Sequence, residues 1–242
     1  MPCRPLLIAA LLMAAALPAG AQAGEPPNGI RGLLPLPETF PPANCEAFTA
    51  ADVPLYATAD DAAHGRRPVG RVTAVKQRVV KGPNDCEGPE VQLRWADGTF
   101  SDEWPTLESG NEARAAIVLA QRDDALQIAT NRAPGWVHRP GLKDYLPVSG
   151  TLLRDKLLDL RTDLRPLART RPGGTQRARL PFKPQSASFV QAKVVNGQPW
   201  LQLAVRARES CGADEDARSA VVWVPFYGAQ RRPTVWFFSR GC

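Results

Sequence analysis

Histidine is almost absent from this chain. Two occur in 242 residues, His64 and His138, and neither stands in the spacing of a metal-ligand pair. No Gly-x-Ser-x-Gly elbow, phosphate-cradling loop or dinucleotide fingerprint is present, so the familiar nucleophile and nucleotide chemistries have no motif to start from. Aromatic residues make up only 7%, and the apolar run at residues 6–17 falls short of the roughly 20 residues that cross a bilayer. With 24 Pro and 19 Gly, the composition excludes a coiled coil and a polytopic membrane protein and fits a folded, loop-rich chain.

What is present begins with an address. Arg4 precedes that apolar run and Ala21-Gln22-Ala23 follows it, which predicts a secretory signal peptide over residues 1–23 and a periplasmic or extracellular protein. Cys3 is lost with the leader. The remaining Cys45, Cys86, Cys211 and Cys242 are an even number in a chain bound for an oxidising compartment, and they predict two disulfides. Three connectivities are open; pairing Cys45 with Cys86 and Cys211 with Cys242 keeps each bridge inside one folding unit, at about 3–4 kcal/mol apiece. A four-cysteine zinc site would need a close Cys-x-x-Cys pair, which the sequence lacks. Oxidised cysteines also remove a thiolate nucleophile.

The net charge is +6, and Arg outnumbers Lys 24 to 6, as GC-rich coding alone would produce. The excess is concentrated in one place. Residues 151–180 hold eight basic side chains, among them Arg154, Arg161, Arg165 and Arg169, against Asp155, Asp159 and Asp163. Such a patch could steer an anionic envelope surface or partner. It lacks interleaved aromatics, and nucleic acid is not an expected partner of an exported chain.

Hydropathy divides the chain further. Residues 24–44 carry Pro26, Pro27, Pro35, Pro37, Pro41 and Pro42, a spacing that predicts an extended, flexible arm. From Val53 onward, short β-prone runs alternate with turn residues, at 53–57, 69–80, 91–95, 115–120, 126–130 and 136–137. Within residues 148–184, Leu153, Leu157, Leu160 and Leu164 recur at steps of four, three and four, which predicts a short basic linker helix ended by Pro166. Beyond it, residues 188–195, then Asn196-Gly197, then 198–208 spell a hairpin whose mirror-image turn matches the strand twist.

The halves share an internal echo. Leu126-Gln127-Ile128-Ala129 matches Leu201-Gln202-Leu203-Ala204, and each is followed by a Trp-bearing strand, Gly135-Trp136-Val137 and Val222-Trp223-Val224. Val91-Gln92-Leu93 is a weaker third copy. In both Trp strands the indole suits the lid of a small closed sheet.

With Val53-Pro54-Leu55-Tyr56 and Val69-Gly70-Arg71-Val72, these strands resemble the bacterial SH3-like (SH3b) domains found in tandem in secreted and cell-wall-associated proteins. The resemblance covers roughly residues 53–138, as one or two overlapping units, and residues 189–242, which places an SH3-like region at 45–147 and a C-terminal SH3-like domain at 185–242. It implies an all-β protein of two or three small barrels joined by a short helical linker. It further implies a non-catalytic module that recognises cell-wall peptides or an envelope protein, with no cofactor and no metal. The insertion at residues 209–220 and the aromatic tail Val235-Trp236-Phe237-Phe238 depart from the family pattern.

Tyr56, Trp104, Tyr227 and Trp236 are the aromatics expected to be partly exposed and to line a ligand groove. An alternative class, a carboxylate-dependent hydrolase of cell-wall glycan, would draw on Glu103, Glu108 and Glu112 near Trp104. A third is a structural or inhibitory interaction protein. Asp214-Glu215-Asp216 lacks the alternating oxygens and glycine of a calcium loop.

Overall fold

The computed structural model describes residues 26–36, 52–75, 90–110, 113–208 and 218–237. The chain is all-β apart from one short helix and two 3-10 turns among those residues. In chain order the first elements are β1 (Gly32–Pro35), β2 (Asp52–Leu55), α1 (Ala59–His64), β3 (Gly70–Val75), β4 (Glu90–Trp95) and β5 (Phe100–Ser101). There follow β6 (Thr106–Gly110), β7 (Ala113–Arg122), β8 (Ala125–Ile128), β9 (Gly135–His138) and β10 (Leu146–Pro147). The last are β11 (Leu157–Leu160), β12 (Ser186–Val195), β13 (Gln198–Arg206), β14 (Ser219–Pro225) and β15 (Val235–Phe237).

They make three antiparallel sheets, none closed among the described residues. One runs β10-β1-β7-β8-β9 with β6 also on β7, one runs β14-β13-β12-β11-β15, and the smallest runs β2-β3-β4-β5. Each of the six β-prone runs read between residues 53 and 137 contains a strand, with residues 76–80 of the second lying outside the described residues. The Asn-Gly hairpin is there as well: β12 and β13 pair through to Val195 and Gln198, and Asn196 and Gly197 take φ of 51° and 72°.

The first sheet lies between the other two, and its sequence shows why. Leu33-Leu34 in β1 and Ala115-Ala116-Ile117-Val118 in β7 are unbroken apolar runs, which a strand tolerates only when both of its faces are covered. The pleat sends Leu33, Ala115 and Ile117 into the core shared with β11 to β15. Leu34, Ala116 and Val118 enter the core shared with Leu55, Val72, Val91 and Leu93 of the small sheet. By contrast β13 alternates, with Leu201, Leu203 and Val205 buried and Gln202 and Ala204 half-covered.

Two expectations are overturned. The proline-rich arm is, over its described part, the central strand β1, paired to β10 on one side and β7 on the other. Its Pro35 is the last residue of the strand, and the Leu36 N–H makes the bond to the Arg114 carbonyl at 3.1 Å, so no ladder bond is lost. The basic segment is not a helix. Asp155 stands at φ 57°, and Leu157–Leu160 form β11, paired to β12 and β15. Leu153 and Leu164 are fully buried in the turns on either side. A helical repeat of leucines here serves a strand and two anchors, because pairing partners on both sides outweigh local propensity.

The internal echo is a structural duplication. Leu126, Gln127 and Ile128 face Val137, Trp136 and Gly135, just as Leu201, Gln202 and Leu203 face Val224, Trp223 and Val222. The preceding strand carries a register shift at the matching place in both copies, between Val118 and Ala120 and between Phe189 and Gln191. The strand before that adds Leu33-Leu34 in one copy and Leu157-Leu158 in the other. In each copy a 3-10 turn, Pro140–Leu142 or Ala229–Arg231, leads into a last strand that returns beside the first. The small sheet and α1 interrupt the first copy between its first and second strands.

The copies are joined across their shared core by polar bonds as well. The Gly29 N–H donates to the Arg231 carbonyl at 2.9 Å, and the buried Tyr227 hydroxyl donates to the Ile30 carbonyl at 2.5 Å. Tyr227→Phe leaves that buried carbonyl without its partner, and urea unfolding should register a loss of about 1–3 kcal/mol. On the other side, Arg132 ties the β4–β5 turn to the central sheet. Its guanidinium donates to Asp97 at 2.9 Å and to the Thr99 hydroxyl at 2.6 Å, and it lies 4.7 Å from the Trp95 ring centroid. The Thr99 hydroxyl and Arg132 hold the Asp97 carboxyl down at about 2.

Candidate functional site

The four aromatics expected at an open groove are buried, each for a local reason. Tyr56 is 6% exposed because it bridges backbone to Trp136 and packs with Ala59, Ala62 and Ala125. Trp104, also 6% exposed, lies in the core under the small sheet and donates its Nε1–H to the Val91 carbonyl at 3.4 Å. Tyr227 is held between the copies. Trp236 is inside β15, opposite Asp159 and 5.1 Å from the Phe237 ring. Tyr56 and Tyr227 are bridge residues and Trp236 a strand residue, while Trp104 lies in the segment between β5 and β6, all four with apolar cover. Trp136 is half-buried and Trp223 buried, in keeping with lid or core roles.

Three of the four arginines singled out in the basic segment are engaged locally. Arg154 is exposed, but Arg161 pairs with Asp159 at 3.0 Å and Arg165 with Asp163 at 2.6 Å. The Asp163 carboxyl is held below its ordinary value, chiefly by the Arg165 hydrogen bonds. Arg169 exchanges backbone hydrogen bonds with Trp223, capping the free edge of β14, and its guanidinium donates to the Pro166 and Ala168 carbonyls. Among the acids, Glu103 is exposed and Glu108 half-buried, while Glu112 lies outside the described residues. Cys45, Cys86, Cys211 and Cys242 lie outside them too, as does the signal segment.

A crevice of about 410 Å³ opens between the two copies. Arg31, Gln121, Tyr145 and Ser149 supply its polar wall, and Leu119, Val194 and Pro199 its apolar one. Leu119 is the extra residue at the β7 register shift, and such bulges redirect a side chain out of the pleat. Val194 and Gly197 come from the end of the β12–β13 hairpin, so each copy contributes one wall. Tyr145 donates its hydroxyl to the Arg31 carbonyl at 3.0 Å, and burial pushes its pKa up to about 12, which keeps it a neutral donor. The Arg31 guanidinium lies 5.9 Å from the Tyr227 ring centroid, and no carboxylate pairs with it among the described residues.

Chemically the crevice offers one cation, an amide, a hydroxyl and an apolar wall, within the size range of pockets for small ligands and short peptide ends. Sequence reasoning missed Arg31, Gln121, Tyr145 and Ser149 because they converge only once β1 and β10 lie side by side. The shared echo of the two copies was the available signal that a seam between them exists. Comparison with family models, with curated proteins and with solved structures finds no match for this chain.

Proposed function

We propose that this is an exported, non-catalytic binding protein of two SH3-like units whose inter-unit crevice holds a carboxylate-bearing peptide, such as a stem peptide of the cell wall. The SH3-like reading is supported by the duplicated five-strand order, in which a 3-10 turn precedes a last strand lying beside the first. The binding reading rests on one observation, the Arg31 cation that has no carboxylate partner among the described residues, on the wall of a crevice that two copies build together. A carboxylate entering beside it gains a charge-assisted hydrogen bond, the stronger kind. Val194 and Pro199 then face the neighbouring side chain of the peptide.

The test is co-sedimentation of the leaderless protein with purified sacculi at low and high salt. Retention in both conditions, cut at least about tenfold by Arg31→Glu, is the expected result, since a crevice contact is screened less than surface charge. Absence of retention in either condition sinks the proposal. Retention at low salt alone, unaffected by Arg31→Glu, assigns the attraction to exposed arginines such as Arg154 and refutes the crevice.

A further inference from the structure

Two arginines share one aromatic ring at the seam between the copies. The Arg31 guanidinium lies 5.9 Å from the Tyr227 ring centroid, and the Arg231 guanidinium lies 5.1 Å from the same centroid. Arg31 belongs to the first copy, directly before β1, and Arg231 to the second, at the end of the 3-10 turn Ala229–Arg231. No carboxylate pairs with either among the described residues. Burial pushes the Tyr227 hydroxyl above its ordinary pKa, and the charges of Arg31 and Arg231 both draw it back, so both cations are felt at one oxygen. Two like charges gathered around one ring repel each other, and an anionic ligand that meets both relieves the repulsion.

The duplication shows that the fold does not dictate a cation at Arg231. In the first copy the same turn is Pro140–Leu142, and Gly141 takes its left-handed position at φ 63°. Its last residue, Leu142 at φ 52°, packs against the core under the small sheet. In the second copy Gln230 and Arg231 stand at φ 54° and 57°, two consecutive side chains in a region that favours glycine, and the Arg231 side chain is exposed. The turn is held in that shape by the Gly29 bond to the Arg231 carbonyl and by the Gly228 N–H, which donates to the Arg232 carbonyl at 2.8 Å. Strained backbone kept in place by its surroundings is characteristic of ligand clamps. The Arg231 side chain runs beside Gly29, where an added Cβ would lie 3.4 Å from Nε, and this brings its charge back toward Arg31.

We propose that Arg231 is a specificity-determining residue of the crevice: Arg31 takes the terminal carboxylate of the bound peptide, and Arg231 takes a second carboxylate on the side chain of the same terminal residue. The inference rests on the crevice reading given above and names its ligand class, a peptide that ends on a dicarboxylic residue. Arg31 lines the crevice and shares Tyr227 with Arg231, so the two carboxylates of one residue meet one cation from each copy. Each gains a charge-assisted hydrogen bond to its own guanidinium.

Calorimetric titration of the protein with Ala-Ala-Glu and with Ala-Ala-Gln, which differ only in the second carboxylate, provides the test. The wild type should bind Ala-Ala-Glu at least about tenfold tighter, as expected for one hydrogen bond between charged groups. Arg231→Gln should bind the two peptides alike, and Arg231→Lys should keep the preference. Arg231 is exposed, so neither replacement disturbs the core, and the wild-type comparison needs no variant. Equal affinities in the wild type, with binding lost in Arg31→Glu, would overturn the role of Arg231 and leave the crevice reading standing. A preference that survives in Arg231→Gln, or displacement of Ala-Ala-Glu by an equal concentration of inorganic phosphate, would overturn it too. Binding of neither peptide would overturn both readings together.

Discussion

Leu33→Asp should abolish cooperative unfolding of the whole protein, not merely loosen its first residues. Leu33 is fully buried in β1, between β10 and β7, and faces the core that also holds Leu158, Leu201 and Phe226. Truncating a buried leucine costs about 2–5 kcal/mol, and a carboxylate put in its place has no partner there and must in addition be desolvated or protonated. A domain stable by about 5–15 kcal/mol does not withstand that sum. Near-ultraviolet circular dichroism and urea titration provide the check. Leu34→Ala, one residue on, should cost about 2–5 kcal/mol by opening the opposite core, the one under the small sheet. A Leu33→Asp protein that melts like the wild type would return residues 24–44 to the status of a loose arm.

The second large effect comes from a single methyl group. A Cβ added at Gly32 would lie 2.4 Å from the Leu146 carbonyl oxygen, 2.6 Å from Tyr145 Cε2 and 3.0 Å from Pro147 Cα. Two of those atoms are backbone of β10, so no side-chain rotation relieves the contact, and β1 and β10 have to separate. Gly32→Ala should therefore cost about 3 kcal/mol, the upper part of the range for overpacking, and should move Tyr145 out of the crevice wall. Gly197→Ala is the control: at φ 72° with nothing within 4 Å of the new Cβ, it costs only the left-handed backbone penalty of about 1 kcal/mol. Equal melting temperatures for the two variants would contradict the packing described between β1 and β10.

Much of the architecture could be read before any coordinate. Strands with one wet face show it by alternation, as Leu201, Leu203 and Val205 do, and Asn196-Gly197 names its own turn. The Leu-Gln-x-Ala echo located a duplication that extends to matched register shifts. What could not be read depends on partners distant in sequence. β1 looks like a linker because its value lies in strands more than a hundred residues away at the β10 side and some eighty away at β7. The leucines from 153 to 164 keep a helical spacing by coincidence, and only the pairing with β12 and β15 selects a strand. Aromatic exposure failed for the same reason, since Tyr227 beside Gly228 gives no local sign that Ile30 covers it. The crevice has no sequence motif, because Arg31 meets Tyr145 through topology alone.

The most direct trial of the binding account is a titration of the isotope-labelled protein with a soluble cell-wall stem peptide, followed amide by amide. The backbone signals of Arg31, Gln121, Ser149 and Gly197 should shift together along one saturating curve, and Arg31→Glu should flatten it. Shifts confined to the arginine-bearing loop at residues 161–179, or no shift at millimolar peptide, would contradict a ligand seat between the two copies.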